Sequence, residues 1–348
     1  MESIAFRPTL RAGLLFIVVM FLASLTGCSS KDGTGASSHG QETNGIIPVL
    51  VAVEPMAWLV EQVGGDRVQV DVLVPAGQEP ETFSPSPRKA AALAGKEIFF
   101  RVGLASEESF LPRLKTVSPR MKTIDLREGL ETLQGSCSHE EHQQANHAEK
   151  EMGSSEAKHD DHDENEHEHD EHATHDHDHE CGADGIDPHI WMSPGMTCKM
   201  VKRMADELSQ IAPSSRPFFE ENARQLCGQL EELQKQIRAR FAPLKTRTIF
   251  VYHPAYGYFC REFGLEQSAI EMGGRSPKPR DMAAFVTKFK ESGAKSIIVQ
   301  PEFGQGTVES LTQTMQTQIV FHTPLEKDYF KNMEQLVKLI EQMESKDK

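Results

Sequence analysis

The sequence predicts an α/β protein of two lobes, each a mostly parallel sheet with flanking helices, joined by one long rigid helix. Three observations carry that expectation. Short apolar runs alternate with amphipathic stretches between residues 46 and 125, the pattern of parallel strands linked by crossover helices. An uninterrupted helical pattern then covers 214–241. After it, the alternation of strands and helices restarts and continues to the end of the chain.

The first 27 residues carry Arg7 and Arg11, an apolar run over 14–22, and Leu25-Thr26-Gly27-Cys28. A basic start, a short apolar core and small residues before a cleavage point make a secretory signal peptide over 1–27. The run is shorter than the roughly 20 residues a membrane span needs. Leu25 to Cys28 also resembles the lipobox of bacterial lipoproteins, which implies lipidation of Cys28 and an extracytoplasmic, membrane-anchored chain of 348 − 27 = 321 residues. Residues 28–45 are small and polar, a flexible tether.

The N-terminal lobe is expected over 46–212. Strands are predicted at 48–53, 68–74, 98–102 and near Ile124, with helices at 56–64, 88–95 and between the last two strands. A Gly/Pro-rich loop fills 75–87. Helices follow at 195–212 and 214–241, separated by Pro213 and Ser214-Ser215, a stop and a new N-cap. The second helix is about 28 residues, roughly 42 Å at 1.5 Å per residue, and makes a linking helix of 213–242. The C-terminal lobe, 243–348, carries predicted strands at 248–252, 296–299 and 319–321 and helices at 255–263, 280–291, 307–317 and 329–343.

Charge is unevenly placed. Between His139 and Glu180 lie 16 Asp/Glu and 2 Lys, a net −14 of the chain's −15. The remainder is nearly neutral, so nothing indicates nucleic-acid binding, which wants a basic face. The same segment holds 11 of the 15 histidines. Apolar residues almost vanish over 128–184, which is expected to be a disordered insertion. His139, His142, His159, His162, His167, His169, His172, His175, His177 and His179 form an auxiliary metal-binding tract. Imidazole with its usual pKa of ~6.5 is largely deprotonated, and so ligating, at pH 7.

Setting Cys28 aside, five cysteines remain: Cys137, Cys181, Cys198, Cys227 and Cys260. If the helices around residue 213 fold back antiparallel, Cys198 and Cys227 come level and can bridge. Two buried thiols are the equal alternative. Cys137 and Cys181 flank the insertion and can close it at its base, which leaves Cys260 odd.

Three loops carry the chemistry. They are Pro75-Ala76-Gly77-Gln78-Glu79-Pro80-Glu81-Thr82-Phe83-Ser84-Pro85-Ser86-Pro87, then Asp187-Pro188-His189-Ile190-Trp191, then His253-Pro254-Ala255-Tyr256-Gly257-Tyr258. Outside the insertion and the tether, the only histidines are His189, His253 and His322. Two imidazoles and a carboxylate from separate loops suit a borderline-soft cation.

These loops resemble the metal-binding solute receptors of ABC transporters, the zinc and manganese receptors, over nearly the whole mature chain. The His-rich insertion before Asp-Pro-His is where zinc-uptake members carry theirs. The resemblance implies an interlobe metal site for Zn(II), a cognate ABC permease and ATPase as partners, a monomer, and no enzymatic activity. It implies Glu81, His189 and His253 as ligands, with Glu81 standing where the family usually has His. The family's fourth ligand is an acid in the loop after the last strand, and there this chain has Thr323. Glu302 or His322 can substitute, or a water can fill the position. Alternatives are a zinc chaperone or adhesin-type surface lipoprotein without transport, and a manganese-preferring receptor. A zinc hydrolase is disfavoured, because neither His-Glu-x-x-His nor His-x-x-Glu-His occurs.

Overall fold

The computed structural model of the protein describes residues 45–135, 185–271, 279–315 and 317–345. Cys28, the tether up to residue 44, Cys137, Cys181 and the whole His-rich tract of 139–180 therefore lie outside the described residues.

The first lobe contains β1 (Ile47–Val51), α1 (Glu54–Gly64), β2 (Val68–Val72), α2 (Pro87–Ala92), β3 (Ile98–Arg101), α3 (Ala105–Val117) and β4 (Lys122–Asp125). The strands pair in parallel in the order β2-β1-β3-β4. The central strands are apolar on both faces: Val49, Leu50 and Val51 of β1 and Ile98, Phe99 and Phe100 of β3 are buried. Helices cover both sides of such a sheet, so both faces must exclude water. At the edge, β2 (VQVDV) is only half-buried, and its Asp71 pairs with Lys96. Glu107, fully buried in α3, turns back to accept from the backbone N–H groups of Val102, Gly103 and Leu104. It ties the end of β3 to the start of α3.

Residues 134 and 186 form an antiparallel bridge, and the N–H of Gly135 donates to the carbonyl of Gly185 at 2.8 Å. Residues 135 and 185 are thus held side by side at one edge of the lobe.

A helical hairpin follows. Ser193 caps α4 (Pro194–Ile211) by accepting from the N–H of Met196, and the turn at Pro213–Ser215 leads into α5 (Arg216–Phe241). Cys198 and Cys227 are disulfide-bonded, with Cα atoms 5.0 Å apart, and Cys260 is a buried free thiol. The antiparallel pairing that levels them is therefore real. Near its start, α5 meets the first lobe: Arg67 lies over the Phe218 ring at 4.1 Å, and Asn222 donates to the Val63 carbonyl. At its far end, Phe241 packs edge-on against Phe259 and Phe263, and Arg240 reaches Glu334 and Glu341. Its 26 residues span roughly 39 Å at 1.5 Å each, so this one helix runs from one lobe to the other.

The second lobe contains β5 (Thr248–Val251), α6 (Gly257–Phe263), β6 (Glu266–Ala269), α7 (Pro279–Glu291), β7 (Ser296–Val299), α8 (Gly304–Met315), β8 (Gln318–Phe321) and α9 (Tyr329–Ser345). Its order, β6-β5-β7-β8, repeats the first lobe's, again all parallel. Side chains alternate across the sheet as the two-residue strand period requires. Ile249, Val251 and Ile298 join the main core, whereas Phe250, Ile297 and Val299 form a separate outer core with Phe285 and Phe289. Sequence patterning did not indicate β6. Its Glu-Gln-Ser-Ala run lacks the branched and aromatic residues that favour strands. It forms because Gly264, at φ 68°, ends α6 in the left-handed conformation and lays the chain beside β5.

Candidate metal centre

Each of the three sequence-marked loops reaches the same place. Glu81 lies in the loop after β2, at the carboxyl end of its strand. His253 lies directly after β5, likewise at a carboxyl end, where open α/β sheets place ligands. His189 begins the turn Ile190–Met192 just before α4. One ligand atom from each of Glu81, His189 and His253 lies within 4.8 Å of the other two, the one such group among the described residues.

The finer distances suit a cation. His189 Nε2 and His253 Nε2 are 3.4 Å apart, and Glu81 Oε1 is 3.4 Å from His253 Nε2. Two ligands about 2.05 Å from one ion in tetrahedral directions stand roughly 3.3 Å apart. The other nitrogen of each ring is held by a carboxylate. Asp187 Oδ1 takes His189 Nδ1 at 2.8 Å and also accepts from the His189 backbone N–H. Glu271 takes His253 Nδ1. Such outer carboxylates fix the tautomer with Nδ1 as donor, aim Nε2 at the ion and raise its basicity.

Those carboxylates are themselves anchored. The Asp187 N–H donates to the Leu133 carbonyl, and Tyr258 Oη donates to the Asp187 carbonyl at 2.8 Å. The Glu271 N–H donates to the Tyr252 carbonyl at 2.9 Å, which sets residue 271 beside the β5 end. Trp191 packs on the His189 ring, 5.3 Å between centroids, and its indole N–H donates to the Pro324 carbonyl.

Electrostatics favour positive charge here. The imidazoles are 6% and 3% exposed and the Glu81 side chain 10%, so the charges act with little water between them. Burial alone would push the His253 pKa down. The carboxylates of Glu81, Glu271 and Glu79 outweigh it and raise it to about 10. Glu79 is a further acid of the first loop. Its Oε1 accepts from the Glu81 N–H at 3.3 Å. Burial raises its pKa, aided by Glu81 and opposed by the two imidazoles.

The other two candidates are not in this group. His322 is buried, with Nδ1 against Tyr256 Oη at 3.0 Å and Nε2 against the Asn332 carbonyl at 3.3 Å. Both nitrogens are thus engaged away from the cluster, and burial lowers its pKa to about 4. Glu302 lies in the turn after β7 and accepts from the Thr323 hydroxyl at 2.6 Å. Asp187 stood in a marked motif without its orienting role being visible. Glu271 gave no signal, because it follows β6, a strand that gave none. Glu79 sat in a marked loop, two residues before Glu81, where its charge was the available hint.

Known proteins resemble this chain over most of its length. Residues 49–343 match the family model described as zinc-uptake complex component A, periplasmic. The zinc-binding lipoprotein AdcA of Streptococcus pneumoniae strain R6 is 26% identical over 286 residues, covering 80% of this chain and 49% of the relative. The chain therefore spans about half the length of that relative. The high-affinity zinc uptake system protein ZnuA of Bacillus subtilis is 26% identical over 282 residues, covering 80% of this chain and 76% of the relative. A crystal structure of ZnuA superposes with a TM-score of 0.69 at 24% identity, covering 86% of this chain and 99% of the other. Matched over most of its length, from the first strand to the last helix, the chain belongs to the family described as zinc-uptake complex component A, periplasmic.

Proposed function

We propose that this protein is an extracytoplasmic receptor that captures Zn(II) between its lobes and delivers it to a cognate ABC permease and ATPase. The observation that carries this reading is the convergence of Glu81, His189 and His253 from three loops, with a carboxylate behind each imidazole. The chain acts by binding and release. The receptor works as a monomer anchored through lipidated Cys28. The His-rich tract of 139–180 supplies auxiliary, weaker zinc sites. The lobe limits are 46–212 and 243–348, with 213–242 as the link.

Competition titration of protein lacking 139–180 tests this. One tight Zn(II) equivalent is expected, lost in both His189→Ala and His253→Ala. Wild-type affinity in both variants would refute the assignment. Comparison with the intact chain should show several weaker equivalents in the latter.

A second reading, preference for Mn(II), is favoured by one observation. Glu81 supplies oxygen, and a second carboxylate, Glu79, stands beside it. Oxygen donors suit manganese, imidazole suits zinc. Direct competition between the two ions decides: displacement of bound Zn(II) by equimolar Mn(II) would establish it.

A further inference from the structure

The two imidazoles are 64 residues apart in the chain, yet one short helix touches the segments of both. α6 opens at Gly257, just past His253, and the Ala255 N–H between them donates to the His253 carbonyl at 2.9 Å. On its other side α6 holds residues 187–195, the segment that carries His189.

Three contacts make that hold. At the start of the segment, Tyr258 Oη donates to the Asp187 carbonyl at 2.8 Å and accepts from the Leu133 N–H at 3.0 Å. Beside it, Gly257 lets the Asp187 carboxylate close in: a Cβ at 257 would stand 2.9 Å from Asp187 Oδ2. At the far end, Glu262 Oε2 accepts from the Ser193 hydroxyl and from the Gly195 N–H at 3.2 Å. Ser193 caps α4 and Gly195 lies in its first turn. There the backbone N–H groups have no partner within the helix, and negative charge is favoured. Gln234 of α5 donates to the other oxygen, Glu262 Oε1, and steadies the carboxylate. His189 thus lies between two anchors, Asp187 and Ser193, both seated on the helix that follows His253.

We infer that α6 sets the spacing of the two imidazoles, with Gly257, Tyr258 and Glu262 as positioning residues that carry the His189 segment on the helix attached to His253. This rests on the three-residue site proposed above and deepens it. The two ring nitrogens stand 3.4 Å apart because their segments are fastened to one piece of structure, whereas Glu81 comes from the other sheet. Ligands set in advance spare the ion the cost of ordering them.

The test is a set of variants in the full chain. It reads the affinity of the tightest Zn(II) equivalent against a chromogenic chelator, and the Tm of the metal-free protein. Glu262→Ala frees the Ser193 end and should weaken zinc binding about 10-fold, the lower end of what loss of an outer partner costs. Glu262→Gln keeps an acceptor for Ser193 and Gly195, with the Gln234 amide turned over to match, and should restore most of the affinity. Tyr258→Phe should cost about 3-fold, the worth of one ordinary hydrogen bond. Gly257→Ala separates positioning from stability. Its methyl group is relieved most easily by rotating the Asp187 carboxylate, which takes Oδ1 from His189 Nδ1. Alanine suits a helix better than glycine, so Tm should hold while zinc affinity falls about 10-fold. A purely structural α6 would lower the Tm of Glu262→Ala and leave zinc binding untouched. If Glu262→Ala and Gly257→Ala bind zinc like the wild type while His189→Ala loses the tight equivalent, the inference fails and the three-residue site stands. If His189→Ala also binds like the wild type, the site itself is wrong. Equal losses in Glu262→Gln and Glu262→Ala would overturn the positioning role, because charge and not hydrogen bonding would then be acting.

Discussion

His253 and His322 stand at the carboxyl ends of two strands of one sheet, β5 and β8, and both are buried. Their surroundings make them opposites. His253 faces carboxylates on both sides, Glu81 and Glu271, which draw a cation to the ring. His322 faces a phenol and a backbone carbonyl, neutral partners that use both nitrogens and leave burial to exclude charge. One residue type in one sheet thus stands as a proposed ligand at β5 and as a core hydrogen-bonding group at β8. The choice is made by which neighbours bring full negative charge.

The largest test of that contrast is removal of each ring. His253→Ala should weaken the tight Zn(II) equivalent by more than about 100-fold, beyond what loss of an outer partner costs. His322→Ala should leave zinc affinity within about threefold. It should instead cost about 2–4 kcal/mol of stability in urea titration, because two buried polar partners lose their match. Strong zinc loss in His322→Ala would erase the distinction.

The next test is pH. His322 titrates near 6.5 when unfolded and near 4 when folded. Its contribution is present above pH 6.5 and is lost as pH falls through 4, since the unfolded chain then binds the extra proton. About 2.5 units at 1.36 kcal/mol each give about 3 kcal/mol. His322→Gln should flatten this limb of the metal-free stability curve. At His253 the sign is reversed. Its pKa is raised to about 10, so its contribution to the metal-free protein is complete below 6.5 and declines as pH rises through 10. The same retained proton competes with metal, so zinc affinity should rise with pH across the neutral range.

A smaller effect is expected behind the ligand. Glu271→Gln should weaken zinc binding 10- to 100-fold, about 1.4–2.8 kcal/mol, by weakening the support of His253 Nδ1. Tyr256→Phe makes the matching change behind His322 and should cost only about 1 kcal/mol of stability, the net worth of an ordinary hydrogen bond. Its zinc affinity should be unchanged. Equal effects of the two substitutions on zinc would show that the two strand ends are not functionally distinct.

Much of this arrangement was legible before folding. Apolar runs such as 48–53 and 98–102 mark their strands, because a strand covered on both faces needs continuous apolar side chains. The level placement of Cys198 and Cys227 around Pro213 followed from helix geometry, and the bridge is present. Strand β6 was not legible. Its residues lack strand preference, and only the neighbouring β5 edge and the Gly264 turn hold them extended. Glu271 was hidden for the same reason.

By itself the sequence determined the α/β alternation, the long α5 and the three loops that carry Glu81, His189 and His253. These depend on local periodicity and on short motifs, which act over a few residues. Only the tertiary structure decided which acid stands behind which ring. It brought Glu271 to His253 across 18 residues, turned His322 toward Tyr256 across 66, and joined Glu302 to Thr323. Those pairings depend on which strand ends lie side by side in the β6-β5-β7-β8 order. Strand order is settled by the packing of whole elements, and no local run of residues encodes it.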